Sequence, residues 1–268
     1  MKIIVTSDLH YGITDLKTIQ KLVDDIADEK PDGVAIAGDI ADGGISSIQS
    51  CLEQFSKLKI PIYVIPGNHD LWAYDSVSSV HSMLDQIKNV VLNLNMIWLE
   101  DSIGQFNNVG LVGSYLHYDY SAKDKVGPCS LFPDDYLFLN KINLNNDARM
   151  MRGVFSDIDF AHELGSAFSD RLKKANVFDK VIIITHVSCM ECQMTRNPYR
   201  FDWSSGTPYF GNLSHESEIL SNPKIVAVVS GHSHRGNANL ITRPNMPDIQ
   251  VINLGSDYNS PVYCVLEL

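Results

Sequence analysis

Basic residues are scarce in this chain. It carries 21 Lys and Arg against 32 Asp and Glu in 268 residues, a formal net charge of −11. That balance argues against indiscriminate binding to nucleic acid or to an anionic membrane, which needs a positive surface. It does not exclude a nucleotide substrate, because a bound cation reverses the charge of one site. Long hydrophobic runs are also missing. No stretch approaches the ~20 apolar residues that span a bilayer. The opening run Ile3-Ile4-Val5 stops at Thr6-Ser7-Asp8, far short of a signal-peptide core. A cytoplasmic protein with no membrane partner is expected. Five cysteines are too few, and odd in number, for a disulfide framework. Cys189 and Cys192 form a lone C-x-x-C with no second pair at zinc-site spacing, so two reduced thiols are expected. Repeats, low-complexity tracts and Gly/Ser linkers are absent too. With 44% hydrophobic and 20% charged residues, the chain reads as one globular domain over residues 1–268.

What is present is a rhythm. Lys2 to Thr6 reads as a buried strand, followed by helical spacing at Leu16, Ile19, Leu22, Val23 and Ile26, with Asp15 as cap. Gly33 to Ala37 is a second strand and Pro61 to Ile65 a third, with a helix carrying Ile45, Ile48, Leu52 and Phe55 between them. This alternation predicts an α/β fold with parallel pairing and crossover helices. Later strands are expected near Val109 to Gly113, Lys180 to Thr185, Ile225 to Val229 and Ile249 to Asn253, and an antiparallel one in Val262 to Leu268. Tyr115 to Asp179 is the least regular stretch, apart from a helix expected at 157–174. It reads as a substrate-shaping insertion.

Each strand ends in residues that bind metals. In order they are Asp8 and His10, Asp39, Asn68 and His69, His186, then His232 and His234. Loops beyond the carboxyl ends of strands in an α/β sheet converge on its crevice. Asp-x-His alone is weak evidence. Gly67-Asn68-His69-Asp70 and Gly231-His232-Ser233-His234, each directly after a buried strand, are stronger, and the ordered set is stronger still. Carboxylates, imidazoles and one amide oxygen suit Mn, Fe, Zn or a similar divalent cation better than calcium. Two such cations ~3.5–4 Å apart clamp both oxygens of an in-line displacement at phosphorus, and a bridging water becomes the nucleophile near neutral pH. A histidine not committed to metal can then protonate the leaving oxygen.

These motifs resemble the calcineurin-like metallophosphoesterases, and the small bacterial-type enzymes in particular. The family pattern D-x-H, G-D-x-x-D, G-N-H-[DE], a lone H and G-H-x-H falls here on Asp8 to His10, Gly38 to Asp42, Gly67 to Asp70, His186 and Gly231 to His234. The resemblance implies a four-layer αββα sandwich with two central mixed β-sheets and a dinuclear centre. It implies that Asp8, His10 and His234 hold one cation, that Asn68, His186 and His232 hold the other, and that Asp39 bridges them. It makes His69 a general acid or transition-state stabiliser, oriented by Asp42. The expected activity is hydrolysis of a small phosphomonoester or phosphodiester by a metal-bridging hydroxide.

One departure narrows the family. Protein phosphatases of this type carry Arg-Gly after the second Asp of G-D-x-x-D, where the Arg grips phosphate. Here Gly43-Gly44 follows Asp42. Arg196, Arg200 and Arg235 are the nearest alternatives in sequence, Arg235 best placed, though a structural role is the simpler expectation for each. His81, His117, His162 and His215 read as surface or ordinary hydrogen-bonding histidines, with His117 among tyrosines the one to watch. Trp72 either lines the mouth or pins its loop. A nuclease of the same fold is a less favoured alternative, since it needs a basic track. A non-catalytic scaffold is disfavoured because every ligand position is filled. The sequence is silent on oligomeric state.

Overall fold

A computed structural model describes residues 1–42 and 44–268. Gly43, the first of the two glycines after Asp42, lies outside the described residues. Strands β1 (Lys2–Thr6), β2 (Gly33–Ala37), β3 (Ile62–Ile65) and β4 (Ile97–Trp98) pair in parallel, and β11 (Tyr263–Glu267) closes the other edge antiparallel to β1. The second sheet is built from β5 (Gly104–Phe106), β6 (Val109–Ser114), β7 (Lys180–Thr185), β8 (Ile225–Ser230), β9 (Asn237–Ile241) and β10 (Ile249–Asn253). Its order is β5-β6-β7-β8-β10-β9, parallel from β6 to β10 with an antiparallel strand at each edge. Both sheets are therefore mixed.

Period-2 alternation splits each strand between two cores. Ile3, Val5, Ala35, Ala37, Tyr63 and Ile65 face Leu111, Ile182, Ile184, Ala227 and Val229 across the space between the sheets. Ile4, Val34, Ile36 and Val64, with Val181, Ile183 and Val228, belong to the cores under the helices. The crossovers of the first sheet are α1 (Leu16–Asp28), α2 (Ile45–Phe55) and α3 (Val80–Asn93). Asp15 caps α1 by accepting from the Thr18 amide, as its position in the sequence predicts. A capping box of Ser79 and Ser82 starts α3, a helix that the metal motifs do not announce. Its buried Val80, Met83, Ile87, Val90 and Val91 keep helical spacing.

Tyr115 to Asp179 connects β6 to β7. It holds α4 (Asp134–Leu144), α5 (Asp147–Met150) and α6 (Asp157–Lys174), and α6 packs on β6. The short α7 (Phe201–Ser204) and α8 (Glu216–Ser221) lie between β7 and β8. The result is the αββα sandwich that the motif resemblance implies. Among the described residues no helix is long and apolar enough to cross a membrane. All five cysteines are free.

Candidate metal centre

The loops that follow β1, β2, β3, β7 and β8 carry the motif residues. Their backbones are contorted. Asp8, His10, Asp39, His232 and His234 all have positive φ, between 44° and 70°, although none is glycine. Such conformations cost free energy and cluster where a site over-determines the chain. Gly67 is required by close approach: a Cβ there would lie 2.1 Å from Asp39 Oδ1. Gly231 is equally confined, with Asp8 Oδ2 2.3 Å from where its Cβ would sit. Buried Asp70 ties two of the loops together by accepting from the amides of Ile40, Ala41 and Gly67. Burial, then the nearby Asp39 charge, pushes the Asp70 carboxyl up to about 7.

Asp8, His10 and His234 bring one ligand-type atom each to within 4.8 Å of the others. The Asp8 carboxylate is held by Ser7 Oγ at 2.6 Å and by the His232 amide at 3.0 Å. His10 Nδ1 faces Asp42 Oδ2 at 2.8 Å and donates its proton there. His10 Nε2 is then left buried with no hydrogen-bond partner, while His234 turns Nε2 toward Asp8 Oδ1 at 4.0 Å and Nδ1 toward Asp257 Oδ1 at 3.7 Å. A buried lone pair without a donor is costly unless something electropositive meets it.

A second convergence lies alongside. Asn68 Oδ1 is 3.0 Å from both His186 Nε2 and His232 Nδ1, and Asp39 Oδ1 is 3.3 Å from His186 Nε2. The other nitrogen of each ring faces a backbone carbonyl, Ala37 O for His186 and Tyr209 O for His232, each at 2.8 Å. Those carbonyls fix the tautomers, so in the neutral rings the inward nitrogens carry lone pairs. Acceptors then point at acceptors, an arrangement only a proton or a cation relieves. Without a cation, His186 takes the proton. Burial opposes its charge, yet the Asp39 carboxylate raises its pKa to about 9. Burial and the neighbouring His186 hold His232 down near about 4. The donor set fits divalent metal at both convergences.

Asp39 lies between them. Its Oδ1 faces His186 and its Oδ2 is 3.6 Å from His10 Nε2. Burial alone would raise its pKa, but His186 and His69 hold the carboxyl well below the usual range. Asp42 is a second link. Besides His10 it takes His69 Nδ1, at 2.7 Å from Oδ1, and the two histidines bring its pKa down to about 2 against the effect of burial. The same proximity reverses the effect of burial on His69, which Asp39 and then Asp42 raise to about 9. Asp42 is not the cap of α2, because Gly44 occupies that position without a side-chain bond. Trp72 stacks flat on His69, with ring centroids 3.8 Å apart.

Every motif residue thus lies in one cluster. Other candidates do not join it. Arg196 is bound to Glu191 and Asp124, and Arg200 pairs with Asp202 on the surface. Arg235 lies over the Trp203 ring. His117 is fully buried rather than at the surface, between Tyr115 Oη and Asp157 at 2.8 Å each. His81 is exposed beside Glu163. A cleft of about 520 Å³ beside α6, lined by His162, Ser169 and His215, contains none of the motif residues. Two residues without a motif do reach the centre. Tyr258 sets its ring 4.6 Å from that of His10 and 5.2 Å from that of His234. Asp147 accepts from Asn68 Nδ2. Neither carries a local sequence signal.

A family model described as calcineurin-like phosphoesterase matches residues 1–236. A protein of Helicobacter pylori named an uncharacterized metallophosphoesterase is 27% identical over 128 residues, 47% of this chain and 31% of its own length. The match thus spans less than a third of that relative. Among solved structures, the phosphopantetheinyl hydrolase of Mycobacterium tuberculosis superposes with a TM-score of 0.70 at 17% identity, covering 96% of this chain and 90% of that one. A dimetal phosphatase from Danio rerio gives 0.60 at 15% identity, covering 100% and 92%. At these identities the likeness is one of fold.

Proposed function

Because the chain belongs to the calcineurin-like phosphoesterase family, we propose that it hydrolyses a small phosphomonoester or phosphodiester at a centre for two divalent cations. The observation that carries this reading is the pair of convergences with Asp39 between them: His10 Nε2 is buried without a hydrogen-bond partner, and the inward nitrogens of His186 and His232 meet only the oxygens of Asn68 and Asp39. Asp8, His10 and His234 would hold one cation and Asn68, His186 and His232 the other, with Asp39 between. Two such cations supply Lewis acidity toward phosphoryl oxygens and a nucleophilic water at neutral pH.

The protein's own groups do the rest. Asp39 places its two oxygens toward the two convergences, where its charge would offset the repulsion between two bound cations. Protonated His69 commits Nδ1–H to Asp42 and keeps Nε2–H for the leaving oxygen. Trp72 fixes the plane of that ring. Asp42 holds His69 and His10 with one carboxylate, so the proton donor and a cation ligand share one anchor. The test is hydrolysis of mono- and bis-p-nitrophenyl phosphate by metal-stripped protein reloaded with Mn, Zn, Fe or Mg. Hydrolysis that returns with metal supports the reading, and the preferred ester assigns the substrate class. No hydrolysis of either ester with any metal sinks it.

A further inference from the structure

An asparagine ligand has an orientation problem. Its amide presents oxygen one way and nitrogen the other, and the two are nearly isosteric. Only with Oδ1 toward His186 and His232 does Asn68 offer a lone pair to a cation. Something must hold the opposite end. Asp147, in the irregular stretch between β6 and β7, stands there. Its Oδ1 accepts from Asn68 Nδ2 at 3.0 Å and from Trp72 Nε1 at 2.7 Å, and its Oδ2 accepts from Tyr118 Oη at 3.1 Å.

We propose that Asp147 is a positioning residue: one buried carboxylate enforces the ligand orientation of Asn68 and pins the indole that backs His69. The proposal rests on the metal-centre reading above. A carboxylate can only accept, so the Asn68 amide must turn its NH₂ toward it. Flipping Asn68 would set oxygen against carboxylate and NH₂ against the cation position. Asp147 is 2% exposed and Asn68 5%, so water does not dilute that preference. Asp147 makes no ion pair with Lys, Arg or His among the described residues. Its three hydrogen bonds all come from neutral donors, two of them the metal-site residue Asn68 and the indole that stacks on His69. It is the first residue of α5, yet its side chain leaves that helix for the site.

The test is calorimetric titration of the metal-stripped full chain with Mn²⁺ alone, with thermal melting to verify folding. Wild type should show two sites. Asp147→Ala should weaken the second by about 10–100-fold, the usual cost of removing a partner that orients a ligand, and leave the first unchanged. A charge exchange gives an independent arm. Asn68→Asp alone sets two carboxylates together and should weaken the second site despite its added charge. Asn68→Asp with Asp147→Asn restores a donor–acceptor pair and should recover affinity to within about tenfold of wild type, a range set by the same orientation cost. Folded Asp147→Ala that binds two Mn²⁺ like wild type overturns the role, as does a double variant no tighter than Asn68→Asp. If Asp147→Ala does not fold, the exchange pair decides. Wild type that takes up no Mn²⁺ overturns the metal-centre reading itself, a result distinct from either.

Discussion

Changing Asp42 to Asn keeps the shape of one side chain and removes a charge that two histidines share. Asp42 accepts from His69 at 2.7 Å and from His10 at 2.8 Å, through different oxygens. An amide has one acceptor end and one donor end. The substituted side chain can therefore satisfy only one of those rings, and the other must move its proton to Nε2. If that ring is His10, its inward nitrogen is no longer free for a cation. A hydrogen bond to a charged group contributes ~1.5–3 kcal/mol, which corresponds to about 10–100-fold in turnover. Asp42 retains 12% side-chain exposure, which favours the lower end. The pH profile should move as well. Asp42 raises the His69 pKa, and cations nearby would oppose it. Losing Asp42 lowers that pKa in either case, so His69 loses its proton sooner and the basic limb of the rate profile shifts to lower pH. At saturating metal, Asp42→Asn and His69→Asn should not multiply, because the two residues act as one unit. The assay is steady-state hydrolysis across pH, with metal content measured on each sample. A pH limb that stays put, together with losses that multiply, would refute the dyad.

Three further outcomes follow from the same geometry. Asp39→Asn should lower cation occupancy at both positions by elemental analysis, whereas Asn68→Ala should mainly empty the second, so full loading of Asp39→Asn contradicts the bridge. His69→Asn should retain metal and lose ~10²–10⁴-fold in turnover, with a smaller loss for p-nitrophenyl esters than for alkyl esters; equal losses would point to charge stabilisation at the phosphoryl oxygens instead. Away from the site, His117 and Lys141 lower the buried Asp157 carboxyl to about 2 despite desolvation. Its contribution is therefore present above the unfolded carboxylate range and is lost as pH falls through about 2. Asp157→Asn should flatten the acid limb of the stability curve and cost ~3–5 kcal/mol, because Lys141 is left buried without its counter-charge; an unchanged melting temperature would contradict this.

The candidate cluster was legible because each member sits on a short loop directly after a strand whose apolar run is unmistakable. Asp8 follows Ile3-Ile4-Val5, and His232 follows the strand ending at Ser230. Period-2 alternation even separates the residues that face the other sheet from those under helices. Local patterns do not carry contacts made across large sequence distances. Asp147 meets Asn68 from 79 residues away, and Tyr258 reaches His10 from the far end of the chain. Strands as short as β4, with two residues, leave no period to detect. His117 is the hydrogen-bonding kind of the two alternatives open to it in sequence, but which residues close around it, Tyr115 and the distant Asp157, only the fold shows. Arg196 has the structural role expected of it, with Glu191 and Asp124 holding its guanidinium.

The proposed hydrolysis depends on two cations held in one cluster. Its most direct test is to strip the protein with chelator, titrate Mn²⁺ back, and follow bound metal and p-nitrophenyl ester hydrolysis in the same samples. Bound metal should rise to two equivalents, and activity should appear only as the second site fills. Full activity in the chelated protein, or saturation at one equivalent with full turnover, would contradict that dependence.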